Sequence, residues 1–120
     1  MLDLECPPEL RAAARAALET RAVEDGHLTV ELADEARIRE LNRVHRGVDA
    51  PTDVLSFPVD GAGPAAGPRE LGDVVICPAH TADLEEATVH GVLHLLGMDH
   101  ETDDGEMLVL QDRIVAGLRA

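Results

Sequence analysis

The sequence predicts an α+β fold: a small mixed β-sheet packed with helices, in one domain of residues 1–120. Three observations predict it. Apolar positions recur at helical spacing in some stretches and alternate or run together as β-branched residues in others, and the two kinds of stretch are interleaved. The chain has 120 residues, the length of one domain. Hydrophobic residues make up 45% and charged residues 28%, a balance that supports a buried core. Phe57 is the sole aromatic residue, so Leu, Val, Ile and Ala must build that core.

Each element has its own signal. Pro8 suits the first turn of a helix, which continues through an Ala-rich stretch to about Val23 and ends at Gly26. His27 to Leu32 alternates, with Leu28, Val30 and Leu32 on one face, and reads as a strand. Asp34 caps a helix of about Glu35 to Arg46, in which Ile38, Leu41, Val44 and then Val48 recur at helical spacing. Asp53 to Val59 and Leu71 to Cys77 read as strands, the latter around the β-branched run Val74-Val75-Ile76. Between them, Asp60 to Arg69 holds three Gly and two Pro and predicts a flexible connection. Neither half of the chain is large enough to bury a core alone. A third helix covers roughly Asp83 to Leu96 and a fourth roughly Asp104 to Leu118.

Composition excludes several functions. No run of 18 apolar residues occurs, so no membrane span is expected. The N-terminal residues lack the basic and apolar regions of a secretory signal. Cys6 and Cys77 make no disulfide framework, and a reducing, cytoplasmic location is expected. One aromatic residue cannot make a base-stacking platform. The net charge is −14, and all ten basic residues are Arg. Such a chain repels nucleic acid except where positive charge is concentrated.

The strongest motif is His90-Gly91-Val92-Leu93-His94-Leu95-Leu96-Gly97-Met98-Asp99-His100. His90 and His94 are four apart, so on a helix they share a face and can converge on one ion. Gly97 lets the backbone turn, bringing His100 to the same point. Three neutral imidazoles with one open position make a catalytic kind of zinc site. Imidazole also suits nickel, copper and iron, so zinc is the first choice among several ions. Metzincin proteases share this His and Gly spacing, but Gly91 stands where they carry a Glu base. Asp99 reads either as an acceptor that orients a ligand ring or as a turn residue. His27, His45 and His80 lack ligand spacing, and Cys77 reads as a buried inert thiol.

A second constellation lies upstream. Arg37, Arg39, Arg43 and Arg46 surround a single Glu40, and Arg39, Arg43 and Arg46 share one helix face. Arg suits phosphate, which it grips through paired hydrogen bonds. Most charged stripes are solvated faces, so charge alone does not make this one a site. The acids from Asp99 to Glu106 fail as a calcium loop, since the sixth position is Asp104 and the twelfth Leu110.

Taken together, the motifs resemble the YbeY family of bacterial single-strand endoribonucleases that mature ribosomal RNA. The matching pieces are Asn42 with Arg46, Pro51 through Pro58, Leu71 through Ile76, His90 through His100, and Met107 with Gln111. The match runs in order from about residue 28 to the C-terminus. The resemblance implies a zincin-like α+β fold and a zinc site made by His90, His94 and His100. It implies Arg46 facing that site, and Arg46 and His90 as the catalytic pair. It implies hydrolysis of single-stranded RNA, trimming of the 3′ end of small-subunit ribosomal RNA, and a part in ribosome quality control. DNA is not an expected partner. The stretch between Cys77 and His90 is shorter than is usual in the family, which implies a helix shortened or merged into the His helix.

The expected chemistry is metal-assisted phosphodiester hydrolysis, with Arg46 holding phosphate. Asp53, Asp73, Asp99 and Glu101 are all open as a general base. Two rivals stand beside this reading. One is a zincin-like peptidase, against which Gly91 counts. The other is a non-catalytic ribosome assembly factor with a bound metal, against which a three-ligand site counts.

Overall fold

The computed structural model describes residues 2–60 and 69–120. Its elements are strand β1 (Leu2–Glu5), helix α1 (Arg11–Thr20), strand β2 (Gly26–Leu32), helix α2 (Glu35–Arg46), strands β3 (Val54–Pro58) and β4 (Glu70–Ile76), and helices α3 (Leu84–Leu95) and α4 (Glu106–Leu118). The sheet is mixed, in the order β1-β2-β4-β3. β1 and β2 pair parallel, as do β2 and β4, while β3 runs antiparallel to β4 at the edge. The small α+β fold with a mixed sheet is the one the sequence predicts.

Helices cover the two faces unequally. On one face, α1, α3 and α4 enclose the main core, which includes Leu18, Leu28, Leu71, Val74, Ile76, Val89, Val92, Leu93 and Met107. On the other face α2 alone packs over the sheet, and Ala33, Ile38, Leu55, Val75 and Cys77 form a small second core. The buried Cys77 is a free thiol, as expected. Gly72, at φ +136, sits where a Cβ would meet the Phe57 carbonyl oxygen at 2.4 Å, so the close passage of β3 and β4 there requires glycine.

Several expectations are corrected. The N-terminal Leu2 and Leu4 alternate as a strand should, and β1, an element beyond those the sequence predicts, forms that edge of the sheet. The first helix begins as a 3-10 turn (Pro8–Leu10) and stops at Thr20, because Ala22 takes a left-handed conformation, φ 57, and Val23 folds back into the core. Leu32 is exposed, not on the buried face with Leu28 and Val30. Along α2 the apolar stripe is buried only at its start: Ile38 is fully buried, but Val44 and Val48 are exposed. Asp104 precedes the last helix; Gly105, in a left-handed conformation, is its N-cap, and the Asp103 carboxylate two residues before accepts from the Gly105 and Met107 N–H groups. The expected flexible connection falls largely on residues 61–68, outside the described residues. At its margins the Asp60 N–H donates to the Glu70 carbonyl and the Glu70 N–H to the Asp60 carboxylate.

Candidate metal centre

Helix α3 is apolar almost all round, so it buries itself between the sheet and the other helices. Asp83 caps it, accepting from the Glu86 N–H, and Arg119 at the end of α4 clamps the same carboxylate at 2.7 and 2.6 Å. That guanidinium, together with the backbone bonds, holds Asp83 below the usual carboxylate range. On the sheet side α3 approaches closely at Gly91. A Cβ there would meet Val74 Cγ1 at 2.5 Å and Val54 Cγ2 at 3.1 Å. The Ser56 hydroxyl donates to the Gly91 carbonyl at 2.8 Å and ties the edge strand to the same turn of helix. Position 91 therefore faces packed sheet and has no room for the acidic side chain that a metzincin carries there.

His90 and His94 lie one turn apart on α3. The chain leaves the helix through Gly97, at φ +94, with the Gly97 N–H donating to the His94 carbonyl and the Met98 N–H to the Leu93 carbonyl. The next turn is held by Asp99. Its carboxylate accepts from the Glu101 N–H, and its carbonyl accepts from the Thr102 and Asp103 N–H groups. This turn swings His100 back, and its ring centroid lies 5.1 Å from that of His90 and 5.3 Å from that of His94. One nitrogen of each ring lies within 4.8 Å of the others. No other group of three potential ligand residues gathers in this way among the described residues. Of the two readings of Asp99, the turn residue is the one its hydrogen bonds support.

The three rings are half-buried, and the ionisation of His94 is shifted down. Burial is the largest cause, followed by repulsion from His90 and His100; Asp99 and a bond to the Met98 backbone oppose it. At His94 this disfavours the charged imidazole and favours the neutral form, the only form with a lone pair for a cation. Gln111 on α4 adds a constraint. His90 Nδ1 donates to Gln111 Oε1 at 2.7 Å. The donor set fits a divalent ion of imidazole preference such as zinc.

The three rings open into a cleft of about 1170 Å³ that wraps the β3 edge and reaches α2. Arg46 lines this cleft, at the last position of α2. Gly47 in the left-handed conformation ends the helix, and the Asn42 amide donates to the Ala50 carbonyl, folding the following loop back toward β3. The four arginines then part company. Arg39 pairs with Asp49, Arg43 with Glu40 and Arg37 with Glu31, whereas Arg46 has no ion pair among the described residues. The stripe is mostly neutralised, and its free cation is the one in the cleft. Sequence reasoning missed His45, which lines the cleft with its ring 4.8 Å from that of Phe57. Its position beside Arg46 was the only available signal.

The cleft carboxylates differ in the same way. Glu31 is engaged by Arg37, Asp53 accepts from the Val54 N–H and the Thr52 hydroxyl, and Asp99 holds its turn. Asp73 and Glu101 have carboxylates without a hydrogen bond or ion pair among the described residues.

Comparisons with known proteins identify the family. The family model described as Endoribonuclease YbeY matches residues 5–119. The chain is 42% identical to the Endoribonuclease YbeY of Azorhizobium caulinodans, across 89% of this chain and 78% of that one. It is 38% identical to the enzyme of that name from Moorella thermoacetica, across 97% and 91%. The solution structure of TM1509 from Thermotoga maritima superposes with a TM-score of 0.53 at 30% identity, covering 96% of this chain and 87% of that one. Three converging histidines on a buried helix and the turn after it, in a fold and sequence shared along nearly the whole chain, place it among known relatives: it belongs to the YbeY endoribonuclease family.

Proposed function

We propose that residues 1–120 form a single hydrolase domain that cleaves single-stranded RNA with one bound zinc ion. We further propose that it works in the cytoplasm on the 3′ end of small-subunit ribosomal RNA, at the ribosome, in maturation and quality control. The observation that carries the reading is the shared cleft, which three converging imidazoles and the unpaired Arg46 both line. No helix among the described residues is long and apolar enough to cross a membrane.

His90, His94 and His100 are the proposed ligands. When bound, a divalent ion supplies the Lewis acidity that makes water a nucleophile near neutral pH and stabilises charge on a phosphoryl oxygen. The chain's own residues do the rest. Arg46 grips a phosphate of the strand and offsets the charge that grows on it in the transition state. Within the Arg37 to Arg46 stripe, Arg46 is the cation left unpaired among the described residues, and it lies in the cleft. Asp73 and Glu101 are the carboxylates left free to take up a proton, because Asp53 and Asp99 are spent on their own turns. Gly91 offers no base of the peptidase kind, which favours phosphodiester over peptide hydrolysis.

The test is cleavage of an end-labelled single-stranded RNA by protein of measured zinc content, with His94→Ala and Arg46→Ala purified beside it and a peptide substrate as control. The expected result is cleavage that follows zinc, vanishes in His94→Ala together with the metal, and falls in Arg46→Ala with zinc retained. Peptide cleavage, or equal RNA cleavage by all three proteins, overturns the reading.

A further inference from the structure

The ring of His90 has two nitrogens, and only one can face the cluster. Its Nδ1 is 2.7 Å from Oε1 of Gln111, a residue only 6% exposed. An amide oxygen can only accept, so this contact requires the proton on Nδ1 and leaves the Nε2 lone pair free. Gln111 is itself held in place, since Met107 one turn before it is fully buried and Ile114 and Val115 after it are in the main core. The proposed ligand residues come from α3 and the turn after it, whereas this support comes from α4.

We infer that Gln111 is a positioning residue, which fixes the tautomer and orientation of His90 so that Nε2 is presented to the metal. The inference rests on the reading of the three histidines as a metal site, although the tautomer can be tested without metal. A neutral amide suits this role in a particular way. A carboxylate would orient the ring equally well but would add negative charge beside the cluster and make the imidazole a stronger donor. Gln111 gives the orientation and leaves the charge unchanged.

The experiment begins with wild-type, metal-free protein labelled with ¹⁵N in histidine. Long-range proton–nitrogen correlation above pH 7.5 reports the tautomer of His90 directly. The expected result is the Nδ1–H form; an Nε2–H signal for His90 overturns the proposal without any variant. Gln111→Leu and Gln111→Glu are then compared for zinc affinity by competition with a chromogenic chelator. Losing the acceptor should weaken zinc binding by about 10–100-fold in Gln111→Leu, the usual effect of removing a ligand's hydrogen-bond partner. Gln111→Glu should keep the Nδ1–H tautomer and bind zinc at least as tightly as wild type. Wild-type zinc affinity in a folded Gln111→Leu overturns the positioning role. RNA cleavage is measured separately. Absence of cleavage with the tautomer and affinities as expected would count against the ribonuclease reading and leave the role of Gln111 standing, whereas failure to bind zinc in wild type would refute the metal site itself.

Discussion

Helices α3 and α2 flank the same cleft and are built on opposite plans. α3 carries apolar residues on nearly every side and is packed from both directions, so His90 and His94 stand on a rigid support. α2 buries little more than Ile38 and Asn42, and its remaining surface is polar or exposed. The contrast teaches what each half of the proposed chemistry demands. Three imidazole nitrogens must meet an ion within tenths of an ångström, which takes a packed core. An arginine that follows the phosphate of a flexible strand needs reach more than fixed position, and a long side chain at an exposed helix end supplies it.

Substitutions can break or sharpen that contrast. The largest effect on stability is expected from Leu93→Ala, at a fully buried position of α3, which should cost about 2–5 kcal/mol through lost burial and the cavity left behind. Val44→Ala, 58% exposed on α2, should stay within about 0.5 kcal/mol in the same urea titration. Gly91→Ala comes next: forcing a methyl against Val74 should cost about 1–3 kcal/mol and weaken zinc binding by shifting α3 from the sheet. If Gly91→Ala melts and binds zinc as wild type does, the close approach of α3 to the sheet is not needed. Arg46→Ala should leave the urea midpoint unchanged while reducing RNA cleavage by roughly 10²–10³-fold, the scale for losing a transition-state charge partner.

The smallest effect is one of pH and concerns a third region. His27 on β2 reaches Glu70 on β4 at 2.7 Å and Glu5 on β1 at 2.9 Å, joining three strands. The hydrogen bonds to Glu70 and then Glu5 raise its ionisation above the ordinary value of 6.5. The folded state therefore holds its proton more tightly than the unfolded chain. This stabilisation is complete below pH 6.5, while both carboxylates remain charged, and is lost as pH rises through the elevated folded value. His94 acts in the opposite sense: its lowered value favours folding above pH 6.5 and penalises it as pH falls. Melting curves of His27→Gln should accordingly fall below wild type near pH 6, and the gap should narrow as pH rises. A gap that does not change with pH would mean that the ring contributes by packing rather than by charge.

Much of the site was legible because its signals are local. The His90, His94 and Gly97 spacing sits on one helix and its exit turn, and Asn42 to Pro58 is a single run. Helices α2, α3 and α4 and strands β2, β3 and β4 were likewise readable from periodicity and caps. What escaped depends on distance along the chain. Ser56 meets Gly91 across 35 positions, His27 meets Glu70 across 43, and His90 meets Gln111 across 21. β1 escaped for a different reason: four residues with two leucines make a weak pattern until β2 is beside them. The Arg stripe was visible, but the fate of each guanidinium depended on which carboxylate the fold brought near it.

The edge position of β3 has a consequence for how the protein behaves in a crowd. An open sheet edge is a template on which another chain can add a strand, and the usual cure is to cover it. Here a cover would close the cleft. The antiparallel phase, set by Cys77 N–H donating to the Asp53 carbonyl, turns the N–H groups of residues 54, 56 and 58 outward. The first donates to the Asp53 carboxylate, and the last does not exist because residue 58 is proline. Ser56 alone presents an outward N–H, too little for a foreign strand to zip along. The edge can stay open to the cleft without becoming a seed for aggregation.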